Sequence, residues 1–196
     1  MSLYLAMAAF ALAMSVSPGP VNIVALSAGA RFGVRASLRH VTGATVGFIV
    51  LFLLVGLGLH GVLQRWAFLT LMIQLAGVGF LLYIAWQLAL DDGQLAPAEA
   101  VKGPSFLHGA LMQWLNPKAW LASVSGMGAF VADGNVQMVL IFALIYFVIC
   151  YVSVAAWACA GGMLGRYLDQ PAKVRVFNRC MAALLVVSAV YLLVPE

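Results

Sequence analysis

Charge is what this chain has least of. Of its 196 residues only 8% are Asp, Glu, Lys or Arg, and none of these lies between Leu3 and Ala30. With 65% hydrophobic residues and a mean hydropathy of +1.06, that scarcity argues against a soluble domain and predicts an integral membrane protein. Cysteine is scarce as well: Cys150, Cys159 and Cys180 have neither CxxC spacing nor zinc-ligand neighbours, so they read as packing residues rather than a disulfide framework. No basic residue precedes Arg31, so Leu3 to Val16 lacks the n-region of a signal peptide and reads as a mature helix. The net charge of +4 does not point to nucleic acid, because the ten Lys and Arg sit mainly in short stretches between apolar runs, where they report topology.

A helix needs roughly 20 apolar residues to cross about 30 Å of hydrocarbon. Six runs qualify: Leu3 to Ala30, Val41 to Leu59, Ala67 to Leu90, Phe106 to Ala132, Val136 to Gly165 and Phe177 to Val194. Arg179 at the start of the last must snorkel toward the headgroups. Loops alternate sides, and the basic residues fall on one of them: Arg31, Arg35 and Arg39, then Lys102, then Arg166, Lys173 and Arg175. The other side holds Arg65 and the acidic Asp133. By the positive-inside rule the first set is cytoplasmic and both termini lie outside.

Two of these runs share a defect. "SPGPVN" at 17 to 22 puts two prolines inside the first, and "WLNPKAW" puts Asn116, Pro117 and Lys118 inside the fourth. Proline lacks an N–H and clashes with the preceding turn, so each run breaks there. Pro18 and Pro117 are 99 residues apart, almost half the chain. Each half is then one broken span followed by two uninterrupted ones. Three is an odd number, so the halves are inverted repeats, 1–90 and 106–196, joined by a cytoplasmic linker at 91–105. The expected fold class is all-α: a polytopic membrane protein of six transmembrane helices.

Proline-interrupted segments at matching places in two halves point to a transport site. Irregular backbone survives at membrane depth only where protein buries it or it lines a cavity. Pro20 suits the first position of a new half-helix with Ser17 or Gly19 near its cap, and Asn116 suits an N-cap with Pro117 following. Each break then aims free N–H groups and a positive dipole end at the membrane interior, where an anionic group such as a carboxylate binds. Pro18, Gly19, Pro20, Asn22, Asn116, Pro117 and Lys118 are the candidate substrate-binding residues. Asn22 and Asn116 either orient the substrate or satisfy backbone freed by the breaks. Lys118 lies 12 residues past Phe106, roughly 18 Å along a helix, so simple snorkelling is difficult. Intramembrane ionisable groups are functional candidates, and no Asp or Glu lies inside any span, so a substrate carboxylate is its natural counter-ion. It is also the candidate for proton coupling; the alternative is a structural lysine reaching a water-filled vestibule.

Gly79, Tyr83 and Gln87 fall at i, i+4 and i+8 on one face of the third span, which makes Tyr83 a secondary candidate that could face an ammonium. Gly43-x-x-x-Gly47 and Gly161-x-x-x-Gly165 permit close helix crossing within one subunit or across a homodimer. His40, His60 and His108 are scattered near predicted span ends, and none is assigned as a proton carrier. No catalytic residue, metal or cofactor is expected, since no His or carboxylate lies at membrane depth to serve an intramembrane enzyme.

"SPGPVNIVALSAGARFGVRAS" at 17 to 37, "GVGFLLYIAWQLAL" at 77 to 90 and "HGALMQWLNPKAW" at 108 to 120 resemble the LysE/RhtB family of amino-acid exporters, in family order along nearly the whole chain. "RHVTGATVGFIVLFLL" at 39 to 54 is most similar to the branch exporting cysteine and O-acetylserine. The resemblance implies efflux of amino acids or their derivatives across a bacterial inner membrane, driven by proton motive force. Many relatives carry an acidic residue near the position of Phe48, which this chain lacks. The expected partners are a small amino-acid substrate, membrane lipid and protons. An importer or channel for small zwitterions is the alternative; an intramembrane enzyme stands further behind for want of such residues, and a structural membrane subunit because it leaves the paired breaks unexplained.

Overall fold

Apolar runs become helices wherever no proline or positive-φ glycine interrupts them, and the interruptions decide this architecture. The computed structural model describes residues 2–59, 67–92, 104–131, 135–168 and 170–191. Helix α1 spans Leu3–Val16, with the Ser2 hydroxyl accepting from the Leu5 N–H. After the break α2 runs Pro20–Leu54 and passes into a π-helical turn, Val55–Leu59. Helix α3 is Ala67–Leu90, α4 Phe106–Trp114, α5 Pro117–Phe130, α6 Val136–Gly165 and α7 Pro171–Tyr191. Side-chain caps start three more helices: Ser105 for α4, Asn116 for α5 and Asn135 for α6. Among the described residues the chain holds no strand.

The stretch Arg31 to Arg39, expected as a loop, is helical. The chain turns instead at one residue, Gly33, with φ 77° and ψ 166° inside α2. Only glycine adopts that conformation without strain, so one residue replaces a loop. The sixth run starts earlier than expected, at Pro171, and 192–196 lie outside the described residues. So do Arg65, Lys102, Asp133, His60 and positions 93–103 of the expected linker.

Helix α2 is the spine. It packs along α6 and α4, while α1 packs on α6 and α3 on α7. Small residues bring these backbones together. A Cβ on Gly29 would stand 2.0 Å from the Ala158 carbonyl oxygen, one on Gly161 1.9 Å from that of Leu26, and one on Gly43 1.9 Å from that of Phe106. Both small-residue motifs are thus spent inside the chain. Among the described residues two helices, Pro20–Gly58 and Val136–Gly165, are long and apolar enough to cross a membrane. Large apolar side chains such as Phe68, Trp86, Leu144 and Val187 are exposed, which suits a surface that faces lipid.

Candidate functional site

Breaking a helix strips its last carbonyls of intrahelical donors, and in hydrocarbon each must find another. At the first break the protein supplies them all. Ser17 Oγ donates to the Met14 carbonyl (3.2 Å), Asn22 Nδ2 donates to the carbonyls of Ser15 (3.0 Å) and Ser17 (2.9 Å), and the Trp157 indole donates to that of Val16 (3.2 Å). Gly19 is the N-cap of α2 and Pro20 its first helical residue. At the second break Leu115 N–H bonds Leu111 O (3.0 Å) and Asn116 N–H bonds Gln113 O (3.2 Å). The Trp120 indole donates to Trp114 O (2.8 Å). Asn116 Oδ1 accepts from Lys118 N–H (3.1 Å), with Pro117 as the first helical residue.

A tryptophan indole therefore closes the last helical carbonyl at each break. Trp157→Phe keeps the ring and removes the donor of the Val16 carbonyl, which lies on the exposed side of the bundle, and loss of one such hydrogen bond costs about 0.5–1.5 kcal/mol. The expected outcome is a lower melting temperature in detergent. An unchanged one would mean that Val16 has a second donor.

Lys118 joins the two breaks. Its Nζ donates to the Ser17 carbonyl (2.6 Å) and the Ser17 hydroxyl (2.8 Å), 101 residues away in sequence. An ammonium on the first turn of α5 is badly placed for that helix, but its tip lies at the carbonyl end of α1, where a cation is stabilised. Gly19 makes room for it: a Cβ there would stand 3.2 Å from Lys118 Cδ and 3.3 Å from Nζ.

A polar cavity of about 40 Å³ lies beside this ammonium, bordered by Ser15, Gly19, Asn22, Gln113, Asn116 and Lys118 on its polar side and by Phe48, Ala119, Tyr146 and Cys150 among others. That is room for a few water molecules. Of the residues predicted from sequence, Gly19, Asn22, Asn116 and Lys118 meet here. Pro18, Pro20 and Pro117 shape the breaks and do not border the cavity. Tyr83 is not brought to it: the side chain is 55% exposed on α3 and accepts a hydrogen bond from Gln87 Nε2 (2.6 Å). The i, i+4 spacing placed Gly79, Tyr83 and Gln87 on one face without saying which way that face turns. The buried residues of α3 include Gly77, Leu81, Ile84 and Ala85, and a Cβ on Gly77 would stand 2.1 Å from the Leu115 carbonyl oxygen of the second break.

Tyr146 and Gln113 were not singled out from sequence, and Phe48 entered only as the position near which relatives carry an acidic residue. Tyr146 sits in an uninterrupted apolar run that gives no sign of a site. Gln113, three residues before Asn116 and bonded to its amide at 3.4 Å, was legible as an amide in an otherwise apolar half-helix. On one flank of the cavity, Phe48 packs on Tyr146 with ring centroids 4.5 Å apart, and Phe52, Phe142, Phe130 and Phe10 continue the cluster. No group of His, Cys, Asp or Glu among the described residues could hold a metal ion.

The family model described as LysE type translocator matches residues 12–196. The chain is 29% identical over 187 residues to a cysteine/O-acetylserine efflux protein of Klebsiella pneumoniae subsp. pneumoniae, covering 94% of each chain. It is 29% identical to proteins of the same name from Escherichia coli strain K12 and Shigella flexneri, covering 92% of each chain. No solved structure matches.

Proposed function

Because the chain belongs to the LysE type translocator family, and is therefore a membrane transporter and not an enzyme, we propose that it exports small amino acids or their derivatives from the cytoplasm. The substrates are of the cysteine or O-acetylserine kind, or neutral. Export proceeds by alternating access of two inverted three-helix halves and is coupled to protons, with both termini outside the inner membrane. The observation that carries this reading is Lys118 Nζ on Ser17: the two proline breaks meet at one cation beside a polar cavity. A carboxylate arriving there replaces neutral oxygens with a charged partner, a stronger hydrogen bond.

The packing supports two inverted halves. The first half-helix of one half, α1, packs on α6 of the other, and the first half-helix of the second, α4, packs on α2 of the first. Alternating access is supported by the contrast between the aromatic cluster on one flank and a roomier cavity toward the end that carries Arg31. The central cavity at about 40 Å³ must widen to take a whole amino acid, as a carrier caught between loaded states requires. No Asp or Glu is among the described residues bordering it, so a second cationic group on a substrate would lack a partner there.

Counterflow in proteoliposomes tests this. Labelled cysteine and O-acetylserine are expected to exchange saturably, with acceleration by unlabelled substrate on the opposite side, and lysine is expected to exchange far more slowly. Flux without trans-acceleration would make the protein a channel. Lysine as the best substrate would overturn the charge argument.

A further inference from the structure

A second cavity, about 420 Å³, lies at the end of the molecule that carries Arg31, between parts of α2, α3, α4 and α7. Nothing in the paired breaks calls for it. The Arg31 guanidinium donates to the Asp91 carboxylate there, the side chains being 35% and 12% exposed. Deeper in, His40 borders the cavity with no exposed surface, and its ring approaches the main chain of Val21 without closing a full hydrogen bond among the described residues. Its ring faces His108 at 6.0 Å between centroids, and the main chain of Val21. The buried Ser27 hydroxyl on the same wall has no hydrogen-bond partner among the described residues. Buried polar groups are nearly always hydrogen-bonded, and those that are not call for a visitor such as water or a ligand.

We propose that this cavity is an access subsite, which captures a zwitterionic amino acid through Arg31 and Asp91 before it moves to the central cavity. The proposal rests on the export reading above. The argument for a zwitterion is charge geometry. An amino acid carries a carboxylate and an ammonium a few bonds apart, and the Arg31–Asp91 pair offers the complementary two charges side by side. Arg31 can take the carboxylate in a bidentate fork, and Asp91 can accept from the ammonium. A simple anion or cation would satisfy one of these groups and displace the other. Ile84 and Leu88 give the side chain an apolar wall. The volume falls in the range of small-molecule sites. The two cavities are neighbours: Val21, whose main chain approaches His40, also borders the central cavity.

The test uses full-length protein oriented one way in proteoliposomes, with the half-saturating concentration of labelled cysteine measured from each face. Arg31→Gln and Asp91→Asn are each expected to raise it about tenfold on the Arg31 face, as loss of one charge-assisted bond predicts. The opposite face and the maximal rate stay unchanged. Gln87→Trp, which narrows the cavity without touching either charge, should give the same one-sided rise, and it decides the matter if the charge variants do not fold. Exchanging the two charges, Arg31→Asp with Asp91→Arg, restores an ion pair but reverses the site, so affinity should stay low. Recovery of wild-type affinity in the exchanged variant, or equal half-saturation on both faces in all variants, would make the pair a structural clasp and end the proposal. A wild type that exchanges no cysteine would remove the export reading itself, and this subsite with it; the two failures are thus told apart by the wild type alone.

Discussion

Lys118→Ala is expected to raise the half-saturating concentration for cysteine counterflow about 100-fold, measured in the same proteoliposomes. An ammonium bonded to a carboxylate in a site of low dielectric contributes up to about 3 kcal/mol, and each 1.4 kcal/mol is a factor of ten. The variant should still fold. The Ser17 carbonyl that Lys118 leaves behind keeps its bond from Asn22, and the Ser17 hydroxyl keeps the Met14 carbonyl, so no backbone group at the break is orphaned. Lys118→Arg should recover only part of the affinity, because the longer fork must fit against Gly19, where the lysine already leaves little room. Tyr83→Phe serves as the contrast: exposed on α3, it should exchange like the wild type. Unimpaired exchange by Lys118→Ala would make Lys118 a brace between the two breaks and nothing more.

The largest stability effect is expected from a single methyl group. In Gly161→Ala the new Cβ would stand 1.9 Å from the Leu26 carbonyl oxygen, 2.8 Å from its carbonyl carbon and 3.0 Å from the Ala30 nitrogen. All three neighbours are backbone, so no rotamer change relieves the clash and α2 must separate from α6. Overpacking costs typically 1–3 kcal/mol, and against rigid backbone we expect about 3 kcal/mol or more. The readout is the fraction of protein that stays monodisperse in detergent and its melting temperature. Gly79→Ala and Gly128→Ala are the controls. Neither Cβ would meet anything within 4 Å, and alanine favours a helix by up to about 1 kcal/mol over glycine, so both should melt at or above the wild type. If Gly161→Ala matches them, α2 and α6 do not pack this closely in the membrane.

Much of this was legible in the residues. The breaks at Pro18 and Pro117 announce themselves because proline has one physical effect in a helix wherever it stands. The Asn116 cap followed from the same local rule. Lys118 stood out as a charge too far from either end of its run. What local rules cannot convey is which distant backbone a residue meets. Asn22 as the clasp of Ser15 and Ser17, Trp157 reaching Val16, and Lys118 reaching Ser17 across 101 positions all depend on how helices pack. Tyr83 shows the same limit from the other side, since helical periodicity groups residues into faces and leaves the direction of each face to the tertiary contacts. Arg31 to Arg39 reads as a loop because charges usually mark one, and Gly33 overrides that by turning the chain within a single residue. His40 and His108 looked scattered at a separation of 68 residues, and they became neighbours only when α4 settled on α2.

The charge of Lys118 has one more consequence. Its partners, the Ser17 carbonyl and hydroxyl, are neutral, and no carboxylate among the described residues borders its cavity. Whenever it is protonated, the resting site carries an uncancelled unit of charge, and a zwitterion with no net charge leaves that unit in place. A full charge moved across a membrane gains or loses about 2.3 kcal/mol per 100 mV. Any rearrangement that shifts Lys118 along the membrane normal therefore feels the transmembrane voltage, and the inside-negative potential of a living cell pulls the protonated carrier toward its cytoplasmic face.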